Sequence, residues 1–204
     1  IRIDKRVDKY STSGDKIYCY PKSNVLKNKL NIQNQDILTE AEKAFSELAS
    51  TQLEYADPPY DLNYLKSIHF QLFTDVYDWA GQLRQADISK GNTRFCTFSR
   101  IEIEANKLLN SLQQQNYFRD LEPQQLIYQL ADLYCELNVI HPFREGNGRT
   151  QRIFFEHLIA YCGYGIDWSK INSKEQWVQA NIEGFYGNLQ PLIKIFELCL
   201  IHPD

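Results

Sequence analysis

Apolar residues recur at helical spacing along most of the chain, and capping or breaking residues bound each recurrence. Ile37, Leu38, Ala41, Phe45 and Leu48 make a first stripe, with Asp36 as the expected N-cap. Asp57-Pro58-Pro59-Tyr60 interrupts the pattern. Asp61 then caps a second helix that turns Leu62, Leu65, Ile68, Leu72 and Phe73 inward. Ser99-Arg100-Ile101-Glu102 reads as a capping box opening a third helix towards Gln115. Pro123 starts a fourth, with Leu126, Leu130, Leu133 and Leu137 towards the core. A fifth carries Ile153, Phe154, Phe155, Leu158 and Ile159 and ends at Gly163, a C-cap residue. Ser173 with Gln176 makes another capping box, and Asn188 with Pro191 opens the last helix.

Two stretches depart from this periodicity. Residues 1–24 are polar and mixed in charge, an irregular leader around Tyr18, Tyr20 and Pro21. Between Arg84 and Phe98, Gly91-Asn92 supplies turn chemistry between short runs, which predicts a β-hairpin or extended flap. The expected architecture is therefore a mainly α single domain over residues 25–204, a helical bundle with one small β-hairpin.

Composition narrows the function classes. A chain of 204 residues with 43% hydrophobic and 24% charged residues fits one globular domain with a sizeable core. A formal net charge of −4 gives no general attraction to nucleic acid or anionic membrane, so any basic patch is local. The five cysteines (Cys19, Cys96, Cys135, Cys162, Cys199) form no C-x-x-C pair, which suggests reduced thiols and a cytoplasmic setting. No apolar run approaches the roughly 20 residues that span a bilayer.

The candidate chemistry is concentrated in residues 141–152, H-P-F-R-E-G-N-G-R-T-Q-R, just ahead of the fifth apolar stripe. Gly146 and Gly148 permit a tight turn and close approach of backbone N–H groups to a ligand. A helix beginning there directs unpaired N–H groups and its positive dipole end at an anion. Arg149 and Arg152, three apart, share a face of its first turn, and their guanidinium forks suit phosphate oxygens. Glu145 can hold a hard cation such as Mg²⁺, and His141 titrates near neutrality as a proton acceptor. Residue types alone thus suggest a polyphosphate site with a base beside it. Each also has an ordinary reading: His141 as a packed ring, Glu145 and Arg144 as solvated charges, Asn147 as a helix cap. No G-x-x-x-x-G-K-[S/T] phosphate loop is present.

The segment resembles the Fic motif, H-P-F-x-[D/E]-G-N-G-R-x-x-R, with every defined position filled. Leu65–Arg84, the following D-I-S-K-G-N-T-R-F-C and Gln179–Leu189 are similar to Fic proteins too. The likeness spans about residues 25 to 200 and is nearest the short bacterial cell-filamentation type. It implies a Fic fold with the hairpin as a flap over the active site, and transfer of AMP from ATP to a Tyr, Ser or Thr hydroxyl of a target protein. By the same resemblance, His141 takes the hydroxyl proton, Glu145 binds Mg²⁺ and Asn147 helps hold the α-phosphate. Arg149 and Arg152 bind the β- and γ-phosphates, with Gly146, Gly148, Thr150 and Gln151 in the same ligand-binding turn. Asn138 orients the His141 ring or simply ends its helix. Lys90, Gly91, Asn92 and Thr93 pin the target segment by strand addition. Trp177 and Tyr186 fall near the family's adenine pocket, although either alone is better read as a core aromatic. His69 and Trp79 read as structural. Some relatives transfer UMP or phosphocholine instead. A nucleotide-dependent binding module is the non-enzymatic alternative, against which the intact motif counts.

Regulation is also implied by resemblance. Many Fic proteins carry an inhibitory helix, [S/T]-x-x-x-E-[G/N], whose glutamate pairs with the second motif arginine. Here E-G occurs only at Glu145-Gly146 and Glu183-Gly184, preceded four residues earlier by His141 and Gln179, and E-N is absent. The expectation is a toxin inhibited by a small separate antitoxin that supplies the glutamate to Arg152. Type II topoisomerase subunits are the first candidate targets, with delivery into a host cell the alternative setting.

Overall fold

The structure, a computed structural model, describes residues 16–202. Most of them are helical: α1 (Gln35–Ser50), α2 (Leu62–Phe73), α3 (Ile101–Gln114), α4 (Pro123–Ile140), α5 (Asn147–Tyr161), α6 (Lys174–Phe185) and α7 (Gln190–Cys199). A two-residue turn at Gly91-Asn92 joins β1 (Ser89–Lys90) to antiparallel β2 (Thr93–Arg94), which is the expected hairpin. A second ribbon, β3 (Gly165–Ile166) with β4 (Leu200–Ile201), was not expected, since two-residue strands carry no periodicity. The mainly α expectation holds. Among the described residues no helix is long and apolar enough to cross a membrane.

Helix α5 lies at the centre, packed on α2 and α4, while α6 and α7 close the far side of α4. Phe154, Phe155, Leu158 and Ile159 are fully buried, each contributing about 1.5–3 kcal/mol relative to exposure. The helix stops where its sequence says it should. Gly163 adopts φ +86, its N–H bonds the Ala160 carbonyl at 2.9 Å, and the Tyr164 N–H reaches Ile159 at 3.1 Å. Asp61 caps α2 by accepting from the Tyr64 N–H at 2.8 Å, and Ser173 caps α6 through the Gln176 N–H at 3.1 Å. Residues 16–24 are irregular, yet Tyr18 and Cys19 are buried beside Val25 and Leu26; residues 1–15 of the leader lie outside the described residues.

Three local expectations fail. Asn34, not Asp36, caps α1; its side chain accepts from the Asp36 and Ile37 N–H groups. Ser99 forms no cap, because Phe98–Arg100 is a 3-10 turn and α3 begins after it with no side-chain cap at all. The third failure concerns the α1 stripe. Ile37 and Leu48 are 58% and 61% exposed and Phe45 lies at the surface, whereas Leu38, Glu42 and Ser46 face the protein. Spacing identified an apolar face correctly, but the docked face of α1 is set by a polar partner on α5.

Candidate active site

His141 is the C-cap of α4 and sits in the left-handed region, φ 48 and ψ 65, which non-glycine residues visit rarely. Its ring is buried, with Nδ1 3.1 Å from the Asn138 carbonyl. A carbonyl only accepts, so Nδ1 carries the proton and Nε2 is the basic nitrogen. Asn138 therefore orients the ring, through its main chain. Phe95, just past β2, stacks on the imidazole at 3.9 Å and 18°. Burial, seconded by the Arg84 and Lys90 charges, pushes the imidazole pKa down to about 3 against the helping Asn138 bond. His69 is likewise lowered, to about 4, by burial. Both rings stay neutral near pH 7, and the protein loses stability as pH falls below 6.5, where the unfolded chain takes up the protons first. Histidine NMR should show no protonation of His69 or His141 between about pH 8 and 5. A His141 midpoint near 6.5 would contradict the buried neutral ring.

The loop after His141 is held from both sides. Phe143 is buried and stacks on His69 at 3.9 Å. Asn147 makes a reciprocal pair with that residue, its Oδ1 accepting from the Phe143 N–H and its Nδ2 donating to the Phe143 carbonyl, both at 2.8 Å. His69 Nδ1 accepts from the Gly81 N–H at 2.8 Å, so Nε2 donates to the Glu145 carbonyl at 3.0 Å. Gly146 is the N-cap of α5 at φ +78 and provides no side-chain cap. A Cβ on Gly146 would lie 2.3 Å from the Phe73 ring, so both backbone and packing require glycine. Gly148 differs: it is exposed, and its Cβ would meet only Arg152 Nη1, at 3.7 Å. The fold does not need that glycine, which leaves the uncapped first-turn amides open to an anion.

The arginines divide. Arg144, at the undefined motif position, is buried with its guanidinium 5.8 Å from the Tyr18 ring centre, so it is not solvated. Arg149 lies over Phe73 at 4.7 Å, donates to Ser46 Oγ at 2.7 Å and pairs with the Glu42 carboxylate, which also accepts from Tyr77. Glu42 and Ser46 are thus buried because α5 presents a cation to them. Arg152 and Arg149 together line a cleft of about 340 Å³ between α1 and α5, with Ser46, Ser50, Leu53, Leu72 and His157. Glu145 is half-buried, and its Oε1 accepts from the Gly146 N–H at 3.0 Å. Burial, then the Glu42 carboxylate, pushes the Glu145 carboxyl up.

The sequence pattern of the Fic/DOC family covers residues 59–159. The probable protein adenylyltransferase Fic of Escherichia coli strain K12 is 43% identical over 189 residues, which is 93% of this chain and 94% of that one. The chain belongs to the Fic/DOC family. Among solved structures, the BepC protein of Bartonella tribocorum, a VirB-translocated effector with bound AMPPNP, matches with TM-score 0.84 at 30% identity, over 92% of this chain and 97% of that one. An N-terminal Fic domain from Bartonella quintana with bound ADP matches at 0.83 and 33% identity, over 92% and 95%.

Within this Fic chain, the loop and the first two turns of α5 bring together Glu145, Gly146, Asn147, Gly148, Arg149 and Arg152, and His141 stands at the loop's other end. Thr150 and Gln151 turn inward instead: Thr150 Oγ1 donates to the Gly146 carbonyl at 3.1 Å, and Gln151 Nε2 to the Tyr134 carbonyl of α4 at 2.6 Å. Both are buried and secure α5. Lys90, Gly91, Asn92 and Thr93 form the tip of the Fic flap. Trp177 is half-buried on Tyr134, ring centres 5.2 Å apart, whereas Tyr186 ends α6 with 67% of its surface exposed. Glu42, Ser46, Tyr77, Arg84 and Phe95 were not among the expected site residues. Tyr77, Arg84 and Phe95 fall within the family-like segments, whereas Glu42 and Ser46 carried no signal.

Proposed function

We propose that this Fic chain is a protein adenylyltransferase that moves AMP from ATP to a Tyr, Ser or Thr hydroxyl of a target protein. The observation that carries this reading is one loop with a neutral, tautomerically defined His141 at one end and an uncapped helix N-terminus at the other. The family membership supports it. The α5 amides and Arg152 hold the triphosphate, with Arg149 steadied beside them by Glu42. Asn147, committed to the Phe143 backbone, fixes the loop through which the α-phosphate is approached. The target oxygen attacks the α-phosphorus, its proton passes to His141 Nε2, and the bond to the β-phosphate oxygen breaks to release pyrophosphate. The low proton affinity that burial gives His141 rises when the triphosphate's negative charge arrives, so His141 becomes a better base in the reacting complex.

Glu145 fits a Mg²⁺ ion. Its carboxylate is a hard oxygen donor, and a divalent cation would relieve the unfavourable charge that burial and Glu42 impose on it. When bound, Mg²⁺ supplies neutralisation of polyphosphate charge.

Gly148→Ala separates ligand binding from folding. The expected result is an unchanged thermal midpoint and an ATP affinity reduced on the order of tenfold, because the methyl group projects where the anion approaches. Calorimetry with AMPPNP checks this, and unaltered affinity would remove the α5 N-terminus from the site. The donor is tested with α-labelled ATP, UTP and CTP and with choline-labelled CDP-choline in bacterial lysate. Preference for ATP supports adenylyl transfer, and preference for another donor overturns it.

The chain also acts as a toxin held by a small antitoxin. The support is the cleft between α1 and α5, where the half-buried Arg152 guanidinium can meet a partner's carboxylate. An antitoxin glutamate at Arg152 would block the γ-phosphate. Purification from the native operon should recover the pair, and a lone, active, non-toxic protein would sink the idea. Type II topoisomerase subunits in the same cytoplasm are the first targets to assay, with a host-cell protein as the alternative.

A further inference from the structure

We propose that Arg84 is a positioning residue that ties the flap to the catalytic base, one buried guanidinium holding both stems of the hairpin and the backbone of His141 in a fixed relation. Arg84 is 2% exposed. Its Nε donates to the His141 carbonyl at 2.8 Å and its Nη2 to the Ile140 carbonyl at 3.2 Å, so it gathers the C-terminal carbonyls of α4. Its Nη1 donates to the Ala86 carbonyl at 2.8 Å, on the stem entering β1, and Nη2 also serves the Cys96 carbonyl, on the stem leaving β2. The main chain reinforces the arrangement: the Arg84 N–H bonds the Pro142 carbonyl at 2.9 Å, and the Cys96 N–H bonds the Val139 carbonyl at 3.0 Å.

The chemistry explains why such a tie matters. On the proposed reading, the flap presents the target hydroxyl while α4 presents the base, so the two must keep register to a fraction of an ångström. His141 is held at φ 48, a conformation that persists only where its surroundings over-determine it. The donor on its carbonyl supplies that constraint, and a cation suits the negative end of α4. Phe95, between β2 and Cys96, extends the link to the imidazole face. Arg84 touches neither phosphates nor hydroxyl in this account; it acts through His141 and the flap. Lysine cannot replace it, since one compact ammonium lacks the planar fork that reaches four carbonyls.

The test uses Arg84→Lys and the parent in parallel. Expected are AMPPNP affinity within about threefold of the parent and a fall of at least tenfold in the label-transfer rate into lysate proteins at saturating ATP. The loss should also exceed any loss of folded fraction measured by circular dichroism. Affinity and transfer falling together, or transfer tracking the folded fraction alone, would overturn the proposal. A second measurement, hydrogen exchange on the parent, needs neither variant nor activity. The Arg84, Cys96 and His141 amides should open as one unit with matching protection. A Cys96 amide that exchanges freely while that of His141 stays protected would show the flap stem to be independent of the base. If the parent transfers no label, adenylyl transfer fails as a function, while the exchange comparison still decides the Arg84 proposal.

Discussion

Replacing His141 by alanine is expected to slow AMP transfer by roughly 10²–10⁴-fold, the usual contribution of a positioned general base. At 1.36 kcal/mol per tenfold, the barrier rises by about 3–5 kcal/mol. Nucleotide binding should survive, because the α5 amides, Arg152 and Glu145 remain in place. Alanine also removes the ring that stacks on Phe95, so a thermal melt must accompany the rate. His141→Asn is the sharper variant: asparagine tolerates the left-handed backbone of that position yet supplies no base. Both variants should be nearly inactive while binding AMPPNP like the parent. A His141→Asn protein that retains even a tenth of the parental rate would move the base elsewhere.

Gly146→Ala should fail for a different reason, in the fold before the chemistry. The added Cβ would stand 2.3 Å from two carbons of the Phe73 ring, a distance no real contact tolerates, and φ +78 is costly for alanine. Phe73 is fully buried and lies under Arg149, so it has nowhere to retreat. Overpacking typically costs 1–3 kcal/mol and the left-handed backbone about 1 more, which predicts a fall in thermal midpoint of roughly 5–12 °C. Transfer should drop as well, because the same residue aims the first turn of α5. Differential scanning calorimetry beside Gly148→Ala reads the contrast directly. Equal midpoints for the two variants would mean that the loop can shift away from Phe73, and the packing argument would be wrong.

The site was more legible in the sequence than the packing around it. Twelve contiguous residues carried the motif, and local rules suffice for a loop that runs from one helix end to the next helix start. Asp61, Pro123 and Gly163 marked their helix boundaries correctly, because capping involves only neighbours a few residues away. Long-range polar contacts were not readable. Nothing local in α1 says that Glu42 and Ser46 will be buried, for their partner Arg149 lies over a hundred residues away in sequence. Periodicity therefore found the apolar stripe of α1 but not the face that docks. Thr150 and Gln151 illustrate the converse: their place inside the motif suggested ligand contact, while the turn of α5 directs both side chains into the protein. Arg84 showed in the sequence only as the end of a family-like segment, for a third reason. The partners of its guanidinium include four backbone carbonyls, which every residue has, so no residue type announces them.

The most direct test of adenylyl transfer is a paired labelling of the parent protein with Mg²⁺ and bacterial lysate, using ATP labelled at the α-phosphate in one reaction and at the γ-phosphate in the other. Attack at the α-phosphorus predicts a protein band carrying the α-label and none carrying the γ-label, with pyrophosphate released. A band labelled from the γ-position would mean phosphoryl transfer, and ATP binding with no band from either label would mean a site that holds the nucleotide without transferring it.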